Sequence, residues 1–285
     1  MTTEPVAEQR YGRPHALVRD YVDGYSGYDM RGFPPGRHMG LPSRHLTLVV
    51  QFDAPITLAV FPDGSSQPQR FDALIGGFHT TPAVIAHDGN QRGVQLHITP
   101  AGARALFGMP ARELVTTVVP LDAVWGTTAT ELIERVGEAD SWDARFAAID
   151  RVLARAAAGR AEVPAAVRPE TAEAMRRLVT VSGDVDISSV ATDVGWSRRH
   201  LSEQFGAEYG VTPKEMARVL RFERSKVLFV RGSRRTLAEI AAECGYADQA
   251  HMAREWRTLA GASPTQWLAD EQLPVAHAPD VLVAA

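Results

Sequence analysis

The chain has 285 residues, 45% hydrophobic and 22% charged, with one cysteine and a formal net charge of −4. At roughly 100–200 residues per domain this length suggests two domains with real cores, and the apolar content excludes wholesale disorder. One cysteine excludes an intramolecular disulfide and cysteine-rich zinc modules, no run approaches the ~18 apolar residues of a membrane span, and the polar first ten residues carry no apolar signal region, so a reducing cytoplasm is expected.

Residues 24–43, crowded with Gly, Pro, Tyr and Arg, read as an irregular lead-in. LTLVVQF (46–52) and ITLAVF (56–61) read as strands joined by Asp53-Ala54-Pro55. A Pro/Gly/Ser turn at 62–68 precedes FDALIGGF (71–78), PAVIAH (82–87) and GVQLHI (93–98). Short strands punctuated by turn residues suggest an antiparallel sheet, as a small barrel or sandwich. From Pro100 the period becomes helical. Residues 101–107 form a short helix stopped by Gly108 and Pro110. Thr128 and Glu131 have capping-box spacing, and Asp140 can cap a helix with Trp142, Phe146, Ile149 and Leu153 on one face. Residues 158–164 (AGRAEVP) read as the start of a linker, and the chain beyond about 168 reads as wholly helical. The expected fold is α+β: a β-rich region with trailing helices over 1–160, a linker at 161–169, an all-α domain over 170–270 and a tail at 271–285.

The helical part contains an internal repeat. ISSVATDVGWSRRHLSEQFGAEYGVTPKEM (187–216) resembles LAEIAAECGYADQAHMAREWRTLAGASPTQW (237–267). Val190-Ala191 matches Ile240-Ala241, and Gly195-Trp196 matches Gly245-Tyr246. After one extra residue, Leu201, Phe205 and Gly210-Val211-Thr212-Pro213 match Met252, Trp256 and Gly261-Ala262-Ser263-Pro264. Each copy has the parts of a helix-turn-helix: a cap (Asp186, Thr236), a helix with a small alanine on its packing face, and a glycine where positive φ is cheap. A second cap (Ser197, Asp248) and a helix burying i, i+4 apolar residues complete it. The first copy then presents Arg199, Ser202 and Glu203 outward. The second presents Ala250, Ala253 and Arg254, flanked by Gln249 and His251.

This pattern resembles the AraC/XylS family of transcriptional regulators over about 170–270. The resemblance implies two DNA-reading subdomains joined by a rigid helix at about 213–230. Recognition helices near 198–207 and 249–257 would read adjacent major-groove segments about 34 Å apart. Residues 1–160 resemble, more loosely, sensor regions of actinobacterial members, mainly through 93–126; that implies a small-molecule effector or a homodimer contact. An activator would also meet RNA polymerase.

Whole-chain charge speaks against nucleic acid, but the charge is uneven. Residues 195–235 hold ten Lys or Arg against four Glu, a net +6, which suits either DNA or a solvated helix surface. Base-reading candidates are Arg198, Arg199, Ser202, Glu203, Gln249, His251 and Arg254, of which Arg199 and Arg254 suit bidentate contact with guanine. Glu203 can accept from cytosine N4 or brace Arg199 at i, i+4. Lys214, Arg221, Arg224 and Arg235 suit phosphate, although Arg221 or Arg224 can equally pair within the domain. Trp196, Tyr246, Trp256 and Trp267 are expected in the core, and Cys244 aligns with Val194 on a packing face. His79, His87 and His97 lie at strand ends without the His-x-His and Glu partners of a metal site. No serine elbow, phosphate-cradling or dinucleotide motif is present, so no catalysis, cofactor or metal is expected. The competing reading is a ligand-binding protein or enzyme with a β-barrel N-domain, its helical part mediating protein contacts.

Overall fold

In the computed structural model, residues 4–160, 167–231 and 235–271 are described. Strands β1 (Val6–Gly12), β2 (Val22–Arg31), β4 (Leu46–Gln51), β7 (Ala73–Gly76), β9 (Gln91–Ile98) and β10 (Val118–Pro120) form one antiparallel sheet in the order β1-β2-β9-β4-β7-β10. The second sheet, ordered β3-β8-β5-β6, is built from β3 (Gly36–Gly40), β5 (Ile56–Val60), β6 (Gln69–Phe71) and β8 (Ala83–His87). Neither sheet closes on itself, so the β-rich region is two open sheets and not a barrel.

The period-2 alternation of side chains gives the larger sheet two different faces. Leu48 and Val50 of β4, Ile75 of β7, and Val94, Leu96 and Ile98 of β9 enter the main core under the helices. Their alternates Thr47, Val49, Leu74, Gln95 and His97 face the other way, toward the smaller sheet. Ile56, Leu58, Ala83 and Ile85 of that smaller sheet meet Val49 and Leu74 in a separate inter-sheet core.

The lead-in expected at 24–43 is instead two strands, β2 and β3, and β1 precedes them. Glycine misled the reading because here it serves packing between layers. A Cβ on Gly27 would stand 2.3 Å from the Trp142 ring, and one on Gly12 would stand 2.6 Å from Phe146. Both aromatic residues belong to α4 (Trp142–Ala158), which lies against these strands. The run 71–78 also divides: Phe71 ends β6 in one sheet, and β7 crosses to the other.

After β9 come α1 (Pro100–Gly102), a π-helical turn (Ala103–Phe107) that ends at Gly108 with φ +73°, and a 3-10 turn (Ala111–Leu114). Helices α2 (Leu121–Trp125) and α3 (Thr127–Gly137) follow. The Thr128–Glu131 capping box does not form, because α3 starts at Thr127 behind Gly126; Glu131 pairs with Arg135 and Arg155 instead. Ser141, not Asp140, caps α4, accepting from the Ala144 N–H. Of the expected linker, 161–166 lie outside the described residues, as do 272–285 of the tail.

The remaining helices are α5 (Pro169–Thr180), α6 (Ile187–Asp193), α7 (Arg198–Tyr209), α8 (Pro213–Val230), α9 (Leu237–Glu243), α10 (Gln249–Ala260) and α11 (Pro264–Asp270). One core runs from the outer face of the larger sheet through α3 and α4 into α5–α8. A second core gathers α9–α11 around Trp256, Trp267 and Phe222. Among the described residues, no helix is long and apolar enough to cross a membrane.

Because the Gly27 contact is with a ring held between Phe52 and Phe146, the strand cannot accept even a methyl group without displacing Trp142. Gly27→Ala is expected to cost about 1–3 kcal/mol in urea unfolding, the usual range for overpacking. Wild-type stability in this variant would show that α4 does not press on β2.

Candidate functional site

Both repeat units form as their local chemistry directs. Asp186 caps α6 by accepting from the Ser188 N–H, and Gly195, at φ +76°, turns the chain after it. Ser197 caps α7 through the His200 N–H, and Leu201 and Phe205 are fully buried. In the second unit Thr236 and Glu239 complete a reciprocal capping box at α9. Gly245 turns at φ +71°, Asp248 caps α10, and Met252 and Trp256 are buried. Ile240, Ala241 and Cys244 pack between the helices, and burial pushes the Cys244 thiol up to about 12, which leaves it protonated. Tyr246, Trp256 and Trp267 are core residues, whereas Trp196 is only half-buried and stands edge-on to His200.

The outward faces carry most of the candidate readers. Arg198, Arg199 and Glu203 are exposed on α7, with Ser202 half-buried beside them. Arg199 Nε donates to Glu203 Oε1 at 2.8 Å, so the acidic residue braces the arginine within the chain. On α10, Gln249 and Arg254 are exposed, but His251 is half-buried. Its Nδ1 accepts from the Ala247 N–H at 3.3 Å, and its ring meets Tyr246. The phosphate candidates divide. Lys214 is exposed at the start of α8. Arg221 donates to the Gly183 carbonyl at 2.9 Å and lies over Tyr246, while Arg224 and Arg235 share Glu243 at 3.7 and 2.9 Å.

Three features escaped sequence reasoning because each joins residues distant in the chain. Arg104, in the π-helical turn, grips Glu208 of α7 with two bonds of 2.8 and 2.6 Å. Arg112 Nη1 adds a bond to the Ala207 carbonyl, so the β-rich region holds the last turn of the first recognition helix. Arg218 of α8 pairs with Glu255 of α10 at 2.6 Å, tying the second unit to the same strut.

The third feature is a cavity of about 150 Å³ between the sheets, bordered by Glu223 and Lys226 of α8. A void of that size in an apolar core admits a benzene-sized molecule. Its roof is apolar, from Ile56, Leu58, Ala83 and Ile85, and its floor is polar, from Gln91, Gln95 and His97 of β9. Burial, helped by His45 and Lys226, pushes His97 down to about 3; burial and the neighbouring His87 push His38 down to about 4. Burial also lowers Lys226, against the pull of Glu223 and Glu271. Glu223 accepts from Ser43 Oγ at 2.9 Å and from the Arg44 N–H at 3.2 Å, which fastens the chain after β3 to α8. Met39 of β3 and Leu41 just after it border the cavity and also pack against the second core.

Two helix-turn-helix units on one connecting helix define a class of DNA-binding domain. A family model described as a helix-turn-helix domain matches residues 172–270, and this segment is an AraC-type domain. An uncharacterized HTH-type transcriptional regulator of Staphylococcus aureus is 30% identical over 87 residues, 30% of this chain. The chain covers only 12% of that relative. Among solved structures, an apo variant of ToxT from Vibrio cholerae aligns over 86% of this chain and 96% of its own, with TM-score 0.51 and 12% identity, and so shares the fold. ToxT solved with an unsaturated fatty acid aligns over 86% of this chain and 94% of its own, at TM-score 0.49 and 11% identity. The AdpA DNA-binding domain, solved with a target DNA, aligns over 36% of this chain and 92% of its own, at TM-score 0.33 and 21% identity.

The buried histidines set an acid limit. An unfolded histidine takes a proton near 6.5, whereas His38 and His97 stay neutral down to about 4 and about 3. Between those values the unfolded chain binds more protons, so stability falls as pH falls from 6.5 towards 4. The melting temperature is expected to drop by several degrees over this window, less steeply in His38→Asn. Identical slopes for the two proteins would remove His38 from the acid response.

Proposed function

We propose that the chain is a sequence-specific DNA-binding transcriptional regulator. In this reading residues 170–270 bind DNA and residues 1–160 sense a small-molecule effector. The observation that carries it is the pair of helices, α7 and α10, set on one strut with Arg198, Arg199, Gln249 and Arg254 exposed on them. An arginine on such a face can meet guanine O6 and N7 with two parallel hydrogen bonds. Arg199 must first exchange Glu203 for a base or a phosphate. In the bound state Glu203 then accepts from a cytosine amino group or turns to solvent. Ser202 and His251 support neighbouring base contacts, and Lys214 leads the phosphate contacts. Arg224 and Arg235 reach phosphate by leaving Glu243, whereas Arg221 is the candidate least suited to it, because its guanidinium is spent on Gly183 and Tyr246.

The effector seat in this reading is the cavity. It is bordered by both sheets and by α8, so an occupant touches the sensing region and the strut at once. A ligand that binds one arrangement of α8 better than another shifts the population competent for DNA. The dense Arg104–Glu208 and Ser43–Glu223 contacts supply the alternative arrangements with something to lose.

A gel shift on the DNA upstream of the chain's own operon tests the reading. A retarded band at about 50 mM salt that fades by about 200 mM is expected from counterion release, and no band at the lower salt refutes it. Arg254→Ala should weaken specific binding by roughly 1–3 kcal/mol and leave non-specific binding unchanged. Equal losses on both probes would assign Arg254 to phosphate.

A further inference from the structure

We infer that the cavity selects an uncharged apolar molecule bearing a hydroxyl group, seated at the His38–Gln91 pole. This rests on the effector reading and specifies its chemistry. Both residues border the cavity and both are 7% exposed. His38 Nε2 and Gln91 Oε1 are 3.1 Å apart, and this is the contact that aligns them. It leaves two buried atoms without a partner, His38 Nδ1 and Gln91 Nε2. A buried polar atom left unpaired costs free energy comparable to a lost hydrogen bond, so the pair is built to meet a third group.

The chemistry of that group follows from the tautomer. Gln91 Oε1 can only accept, so His38 Nε2 carries the proton and Nδ1 presents a lone pair, while the Gln91 amide offers N–H donors. If the amide is turned over, His38 Nδ1–H becomes the donor and Gln91 oxygen the acceptor. In either arrangement the pole offers one donor and one acceptor, the complement of a hydroxyl. A carboxylate has no hydrogen to give Nδ1, and the neutral ring brings no charge to attract it. The cation of the cavity, Lys226, borders it beside His97, whose proton affinity it lowers. Gln91 and His97 are six residues apart on β9, about 20 Å at the rise of a strand. The roof of Ile56, Leu58, Ala83 and Ile85 takes the apolar body.

Isothermal titration of the full chain at about pH 7 with phenol, benzoate and benzene, which match the cavity in size, tests this. The phenol should bind at least about tenfold tighter than either of the others, since it alone satisfies both unpaired atoms. Gln91→Met should remove that preference, with benzene binding at least as well as in the wild type because the pole becomes apolar. If this variant does not fold, the wild-type ratios decide. Tighter binding of the benzoate, abolished in Lys226→Met, overturns the hydroxyl assignment and leaves the effector cavity standing. Equal affinity for phenol and benzene overturns it too, showing that water serves the pole. No binding of any of the three overturns the assignment together with the effector role of the cavity.

Discussion

Helix α8 is the constraint on which the rest of the structure depends. Its eighteen residues span about 27 Å at the rise of an α-helix, and its sides belong to different cores. Met216, Ala217 and Leu220 enter the core shared with α5–α7 and the larger sheet, whereas Val219 and Phe222 enter the core of α9–α11. Its start is pinned by Thr212 and Glu215, which cap each other's backbone N–H groups. Deeper in, Ser225 accepts from the Trp256 indole at 2.9 Å and donates to the Phe222 carbonyl, so its buried hydroxyl is satisfied on both counts. A helix with packed flanks moves as a rigid body, so the separation of α7 and α10 follows from this one element.

In the proposed reading, that rigidity gives an occupant of the cavity leverage over α8. Displacing α8 by even a small amount disturbs the Glu223 contacts to Ser43 and Arg44 and the packing of Met39 and Leu41 on the second core. Close-packed interfaces respond to such a shift by changing arrangement, since they do not deform continuously. The first unit is held through the shared core, through the bidentate Arg104–Glu208 pair at the end of α7, and through Arg112 on the Ala207 carbonyl. The second unit is held to α8 by Arg218–Glu255 and by its aromatic core. Helices α7 and α10 therefore have different attachments to the β-rich region, and in the proposed reading an occupant that shifts α8 reorients the two unequally.

Legibility in the sequence followed the range of the physics involved. The helix-turn-helix units depend on caps, turn glycines and i, i+4 apolar pairs, all local, and the expected caps at Asp186, Ser197, Thr236 and Asp248 formed as read. The connecting helix expected at 213–230 has those bounds. Glycine failed as a signal in β2, where Gly27 is small because Trp142, 115 residues later, lies against it. Thr128 failed as a cap because the preceding glycine already lets the chain enter the helix at Thr127. The Arg104–Glu208 pair and the His38–Gln91 pole join residues 104 and 53 positions apart, and no local pattern encodes such a meeting. Alternation along β9 did hold a trace of the cavity: Gln91, Gln95 and His97 occupy one face of a strand whose other face is Val94, Leu96 and Ile98. A polar stripe between two sheets has no solvent to explain it, and a cavity resolves the conflict.

The charge pattern acquires a meaning of the same kind. Of the cations in the +6 stretch, Arg221 is committed to Gly183, Arg218 to Glu255 and Arg199 to Glu203. Arg218 and Arg221 serve the architecture, so the raw count overstates what is offered to a polyanion. What remains on the readers is a small number of exposed arginines with one carboxylate among them. In the proposed DNA-binding reading, Glu203 repels phosphate unless a cytosine amino group or Arg199 occupies it, and so penalises misplaced docking more than correct docking. In that reading the domain trades non-specific affinity for discrimination, because base contact by Arg199 requires its pair with Glu203 to be replaced by contacts of comparable quality.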